Sequence, residues 1–160
     1  MQHVTILCVG KLKERFFADA CEEYRKRLSR HCRLEIIELP EQRLGDAPSE
    51  AEIAQALGRE AEAIGERLPR SGVLIALCVE GRQLSSEQLS ETLGRYASRG
   101  VSQLTFLIGG SFGLSGEIKA RADLRLSMSA MTFPHHLARV MLLEQIYRAY
   151  QIESGTKYHK

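Results

Sequence analysis

Residues Leu126–Lys160 read LSMSAMTFPHHLARVMLLEQIYRAYQIESGTKYHK. A loop of small residues runs into Pro134, a long apolar stretch follows, and a short polar tail ends at Tyr158-His159-Lys160. Pro134 suits the first turn of a helix, where a backbone N–H is not needed. Leu142, Leu143, Ile146, Tyr147, Ala149 and Tyr150 make that helix apolar nearly all round. A helix apolar on several faces is buried. In so small a chain a subunit interface is a natural place to bury it. Chain ends usually fray. This tail carries an aromatic hydroxyl, an imidazole and two lysines, which points to a partner subunit or a substrate.

Upstream, strand-like and helix-like segments alternate. Val4–Val9 is a short apolar run closed by Gly10. Phe17, Ala20, Cys21, Tyr24 and Leu28 recur at helical spacing within Glu14–Leu28. Leu34–Leu39 is a second strand, stopped by Pro40, and Gln42–Pro48 is a loop. Ser49 with Glu52 forms a capping box for a helix reaching about Leu68. Val73–Val79 is a third strand. Ser85 with Gln88 caps a helix whose apolar face is Leu89, Leu93, Tyr96 and Ala97, with Gly100 as its stop. Gln103–Ile108 is a fourth strand and Leu124–Ser129 a candidate fifth. Alternation with apolar strands predicts an α/β fold, a parallel sheet with helices on both faces. A length of 160 residues fits one domain, 1–160, with no linker or repeat.

Composition excludes several classes. No apolar run approaches the roughly 20 residues of a membrane span. Met1-Gln2-His3-Val4 lacks the basic and apolar regions of a signal peptide. Cys8, Cys21, Cys32 and Cys78 lack C-x-x-C spacing, which argues against zinc and thioredoxin-like chemistry. Free thiols without a signal peptide place the chain in the cytoplasm. His135-His136 lacks metal spacing, since adjacent helical residues diverge, so no metal is expected. The net charge of +2 conceals an asymmetry. Residues 1–33 hold eight Lys/Arg against four acids, residues 34–118 seven against thirteen, and residues 119–160 seven against three. Both ends are basic. They are either an ordinary solvated surface or a shared phosphate-binding face.

Two loops are candidates for chemistry. Ile108-Gly109-Gly110-Ser111-Phe112-Gly113 follows the fourth strand, where open parallel sheets bind ligands. It matches neither the P-loop nor the dinucleotide fingerprint. It does match G-x-S-x-G, so a Ser hydrolase with Ser111 as nucleophile, and Asp123 with His135, His136 or His159, is one reading. A tight structural turn is another. The Leu126–Pro134 segment suits an apolar pocket for a flat ring. Glu144 and Arg148 stand at i and i+4, an ordinary surface pair unless the helix is buried.

The strand Leu104–Ile108 with GGSFGLSGE, the segment LSMSAMTFPHHLARVMLLEQIYRAY and the terminal KYHK resemble the bacterial ribosomal RNA large-subunit methyltransferase H family, of the SPOUT class. VTILCVGKLKERF and EYRKRL near the start match as well, so the resemblance spans the chain. It implies a C-terminal trefoil knot, within about residues 103–160, and a homodimer. It implies S-adenosylmethionine held by Leu77, Gly109, Gly110 and the run Met128, Ser129, Ala130, Met131, Thr132, Phe133 and Pro134. It implies methylation of N3 of a pseudouridine in helix 69 of 23S rRNA, on the assembled ribosome. Glu144, Arg148, Tyr158 and His159 fall on the family's catalytic or substrate-placing positions, with His135 and Arg139 in the same stretch. His159 is the first candidate for removing the N3 proton and Glu144 the second. Arg148 would hold a phosphate or developing negative charge, and Tyr158 would meet the base. A non-catalytic ribosome-binding module is the third reading.

Overall fold

Side-chain alternation along the first strand splits the core into two layers. Val4, Ile6 and Cys8 point to one side of the sheet, and Leu7 and Val9 to the other. All are essentially inaccessible to solvent. The computed structural model describes residues 1–160. In chain order the elements are β1 (Gln2–Val9), α1 (Arg15–Leu28), β2 (Cys32–Leu39), α2 (Glu50–Arg67) and β3 (Val73–Gln83). They continue as α3 (Ser86–Ser98), β4 (Gln103–Ile108), α4 (Gly116–Arg121), β5 (Leu124–Ser127) and α5 (His135–Glu153).

The strands form one five-stranded sheet in the order β2-β1-β4-β3-β5. Every pairing is parallel, with Val4 opposite Leu104 and Ile6 opposite Phe106 at its centre. Helices α1, α3 and α5 cover one face, packing on Ile6, Ile75 and Phe106. Helices α2 and α4 cover the other through Ala61, Ile64 and Ile118. The α/β architecture with helices on both faces is therefore as the alternation predicts.

Both capping boxes form. The Ser49 hydroxyl accepts from the Glu52 amide and the Glu52 carboxylate from the Ser49 amide, and Ser85 and Gln88 do the same. Each cap contributes about 1 kcal/mol to its helix. Gly100, at φ +78°, takes the left-handed conformation that ends α3.

Four details depart from the pattern. β3 runs past Val79 to Gln83, because Leu77 and Arg82 both stand opposite Leu126 and the residues between them bulge outward. α4 has only six residues, too few for periodicity to reveal. β5 ends at Ser127, two residues early. Pro134 caps α5 rather than entering it; its carbonyl accepts the Ala138 amide at 2.9 Å. The apolar girth of α5 is mostly consumed inside the chain. Leu142, Leu143, Ile146 and Ala149 are buried beneath α1 and α3, so burial of this helix does not by itself demand a second subunit. No helix is long and apolar enough to cross a membrane.

Candidate active site

The bulge in β3, the glycine loop after β4 and the segment between β5 and α5 enclose a cavity of about 910 Å³. That is within the size range of small-molecule sites. It lies at the carboxyl ends of the strands, as expected of an open parallel sheet. Leu77, Ile108, Leu126 and Phe133 supply apolar wall. Lys119 and Glu80, a hydrogen-bonded ion pair, supply charge. The Lys119 contact is the main reason the Glu80 carboxyl lies below its ordinary range.

Leu77, Gly109, Gly110, Met128, Ser129, Met131, Thr132, Phe133 and Pro134 all line this cavity; Ala130 stands outside the lining. The glycine loop is a tight turn. Gly113 N–H donates to the Gly110 carbonyl at 3.0 Å, and Gly113 has φ +75°. A Cβ on Gly109 would come within 2.5 Å of the Gly113 carbonyl oxygen. The turn can form only because both positions lack a side chain. Cys78, Val79 and Glu80 were not among the sequence candidates. The signal that points to them is Gly81, whose Cβ would strike the β5 backbone at 2.7 Å and so marks the bulge.

The six catalytic candidates fall into two groups along α5. His135 opens the helix and lines the cavity, its Nε2 buried without a hydrogen-bond partner. Burial, with His136 close by, pushes its pKa down. Arg139 is one turn on and 3 % exposed, but it does not face the cavity. Its guanidinium donates to Glu38 at 2.8 Å and to the Gly10 carbonyl at 3.1 Å. Burial opposes charge on Glu38, yet Arg139 and the Leu12 amide hold its carboxyl below the usual value.

Glu144, Arg148, Tyr158 and His159 form the second group, brought together by the tail folding back onto α5. Arg148 donates to Glu144 at 2.7 Å and Tyr158 donates to the same oxygen at 3.1 Å. Tyr158 stands edge-on to Tyr147 and beneath the Arg148 guanidinium, 4.8 Å from its ring centre. Partial burial and the Glu144 contact raise the Tyr158 pKa, so the phenol keeps its proton. His159 Nδ1 lies 3.3 Å from Arg148, and Nε2 lies 2.8 Å from Glu87 at the start of α3. That contact is the largest reason the Glu87 carboxyl is lowered to about 2.

None of this second group lines the main cavity. Glu144 borders a separate hollow of about 480 Å³, which shares only Leu126, Ser127 and Met128 with it. At 1.5 Å per residue, α5 holds Arg148 roughly 20 Å beyond His135 along the axis.

The hydrolase constellation does not form. Ser111 takes part through its amide, which donates to Glu41, and no histidine hydrogen-bonds its hydroxyl. Asp123 accepts from the Leu74 amide, beside β3, and reaches no imidazole. The helix begins at Gly116, where an elbow would start one at the nucleophile. Cysteine chemistry is equally disfavoured. Burial pushes the Cys8 thiol up to about 12 and Cys32 to about 11, leaving no thiolate at neutral pH.

Comparison with known proteins bears on the fold and the family. A solved structure of a probable methylase family protein from Haemophilus influenzae Rd KW20 superposes with a TM-score of 0.57, covering 98 % of this chain and 70 % of that one. At 12 % identity it speaks to the fold alone. The ribosomal RNA large subunit methyltransferase H of Streptococcus equi subsp. zooepidemicus is 46 % identical over 157 residues, covering 98 % of this chain and 99 % of its own. That of Clostridioides difficile is 46 % identical over 158 residues, covering 99 % of each. The family model described as "Predicted SPOUT methyltransferase" matches residues 2–159. This chain therefore belongs to the SPOUT methyltransferase family, which implies a C-terminal trefoil knot.

Proposed function

We propose that this protein is a cytoplasmic homodimer that transfers a methyl group from S-adenosylmethionine to N3 of a pseudouridine in helix 69 of 23S rRNA, on the assembled ribosome. The observation that carries the reading is the pairing of a glycine-floored cavity with a separate Glu-Arg-Tyr-His cluster. It is joined by 46 % identity to relatives named as large-subunit rRNA methyltransferases.

The cavity fits the donor. Its apolar walls suit a flat heterocycle, and the closely approaching glycine backbone supplies amides and carbonyls without side-chain interference. Leu77, Gly109, Gly110 and the Met128–Pro134 run would hold it, with the Glu80–Lys119 pair at the polar end. When bound, S-adenosylmethionine supplies an electrophilic methyl on a sulfonium. The chain's own task is then alignment and proton removal. Near-attack placement supplies several kcal/mol, and a positioned base about 10²–10⁴-fold.

His159 is the better base. The Glu144 oxygens already accept from Arg148, Tyr158 and Gln145, which leaves them little free capacity. Nε2 donates its proton to the Glu87 carboxylate and Nδ1 accepts from Arg148, so release of Nδ1 from Arg148 would free His159 to accept the N3 proton. Arg148, beside His159, is placed to stabilise negative charge on the base, and the Tyr158 ring to stack on it.

The distance between cavity and tail favours a composite site. In one chain the two groups are apart, so the tail of one subunit would serve the cavity of the other. Val79, Phe112 and Met131 leave an apolar rim on the cavity mouth, at 59 %, 48 % and 73 % exposure, which a second copy would cover. The basic stretch at the end of α1 lies near the tail, with Arg27 over the Tyr147 ring, and would meet phosphates.

Deleting Lys157–Lys160 tests the reading. Calorimetry should show S-adenosylmethionine binding kept within about twofold, while methyl transfer to ribosomes falls by at least the ~10²-fold of a lost base. Undiminished transfer would remove the tail from the mechanism. A chain that binds ribosomes but no S-adenosylmethionine would be the non-catalytic module instead.

A further inference from the structure

Glu41 belongs to none of the groups described above, yet it hydrogen-bonds one wall of the main cavity and lies close to the other. It follows β2, just past Pro40, and does not line the cavity itself. One carboxylate oxygen accepts the Ser111 amide at 2.6 Å, across 70 residues of chain. The same oxygen lies 2.6 Å from where a Cβ on Gly110 would stand, so the loop and the carboxylate are fitted to each other. The other oxygen points at the far wall. A Cβ on Gly10 would lie 3.5 Å from it and 3.1 Å from His135 Nε2, so carboxylate and imidazole flank the same spot. His135 opens α5 directly after the Met128–Pro134 run.

Glu41 is itself braced. The next residue, Gln42, donates its amide to Glu60 at 2.8 Å, and Glu60 is buried on α2 with 6 % exposure. A chain of contacts thus runs from α2 through the Gln42 backbone and Glu41 to the glycine turn. An ionised acceptor on an amide makes a shorter and stronger hydrogen bond than a neutral one. The turn between Gly110 and Gly113 has one hydrogen bond of its own. Glu41 adds a second, from outside the cavity.

We infer that Glu41 is a positioning residue for the methyl-donor site: it fixes the glycine turn from outside the cavity by accepting the Ser111 N–H. This rests on the reading of that cavity as the S-adenosylmethionine site. Glu41 does not touch the donor. It sets the direction in which the turn's backbone groups face it.

Calorimetry with S-adenosylmethionine on the full chain tests this. Glu41→Ala should weaken binding about tenfold, the equivalent of one charge-assisted hydrogen bond. Glu41→Gln keeps an acceptor in place and should stay within about twofold of the unaltered chain. Ser111→Pro removes the donor itself, and proline suits the second position of this turn. In that background Glu41→Ala should change affinity less than about twofold, since the contact is already gone. In turnover, Glu41→Ala should raise the KM for donor and leave the KM for ribosomes as it was, with thermal unfolding confirming a folded chain. If Glu41→Ala does not fold, Glu41→Gln with near-native affinity beside a weakened Ser111→Pro carries the same support. Native affinity in Glu41→Ala or in Ser111→Pro, or an equal loss with and without the Ser111 amide, overturns the inference. Failure of the unaltered chain to bind S-adenosylmethionine would instead overturn the donor-site reading beneath it.

Discussion

Gly109 and Gly110 differ in what a methyl group would strike. At Gly109 it meets the Gly113 backbone at 2.5 Å, and at Gly110 the end of the Glu41 side chain at 2.6 Å. A backbone clash inside a tight turn has no cheap relief, whereas a side-chain end can swing aside. Gly109→Ala should therefore abolish measurable S-adenosylmethionine binding, and Gly110→Ala should weaken it about tenfold, near the value of one lost charged contact. Equal affinities in the two variants would contradict this. The glycine pair was legible in the sequence as a loop after a strand. Its partner Glu41 was not, because the contact spans 70 residues and no local pattern marks it. Glu144, Arg148, Tyr158 and His159 were singled out by resemblance, while periodicity gave only an i, i+4 pair. Their convergence depends on the tail turning back at Gly155, which has φ +65°.

Helix α5 has a different job at each end. Its first turns are locked to β1 and β2 through Arg139, Gly10 and Glu38. Its last turns carry the cluster with the tail. The lock predicts a pH dependence of stability. The Glu38 pKa is lowered below its ordinary 4.5 in the folded chain. The stabilisation is then complete above about pH 4.5 and is lost as the pH falls through the lower, folded value. Glu38→Gln mimics the protonated side chain. Glu38 is one-third exposed, so the loss at pH 7 is about 1–2 kcal/mol, less than for a fully buried pair. Thermal unfolding should show Tm lower by about 3–6 °C at pH 7. The gap should close as the pH drops below 4.5; a gap that widens in acid would contradict the lock. At this scale the pattern announced a buried helix but not its neighbours. An all-round apolar helix fits a subunit interface and a slot between α1 and α3 equally well, and the fold supplies the slot. The extension of β3 was hidden for a related reason. Glu80-Gly81-Arg82-Gln83 is polar and reads as loop, and only its pairing with β5 makes it strand.

For the whole molecule, the parallel sheet covered on both faces follows from alternation and side-chain period, and the structure agrees; the strand order β2-β1-β4-β3-β5 does not follow from them. The knot does not follow from either, because threading leaves no periodic trace and runs against the usual rule for chain connections. The proposed dimer gives a prediction that separates a composite site from two independent ones. Mixed dimers of Gly109→Ala with His159→Ala each contain one intact cavity and one intact tail, on different chains. If the tail acts on the partner's cavity, each mixed dimer regains one working site. Methyl transfer should then rise at least about 10²-fold above either parent, the factor a positioned base supplies. Activity no higher than the parents would place each tail on its own cavity.

The most direct measurement of the central claim takes ribosomes that lack the modification, incubates them with this protein and S-adenosylmethionine, and locates the product by mass. The proposed function predicts the mass of one added methyl group on a single pseudouridine of helix 69 in 23S rRNA, at N3, with no gain in ribosomes already modified. A methyl group found on any other nucleotide, or none found with folded protein and donor present, would contradict it.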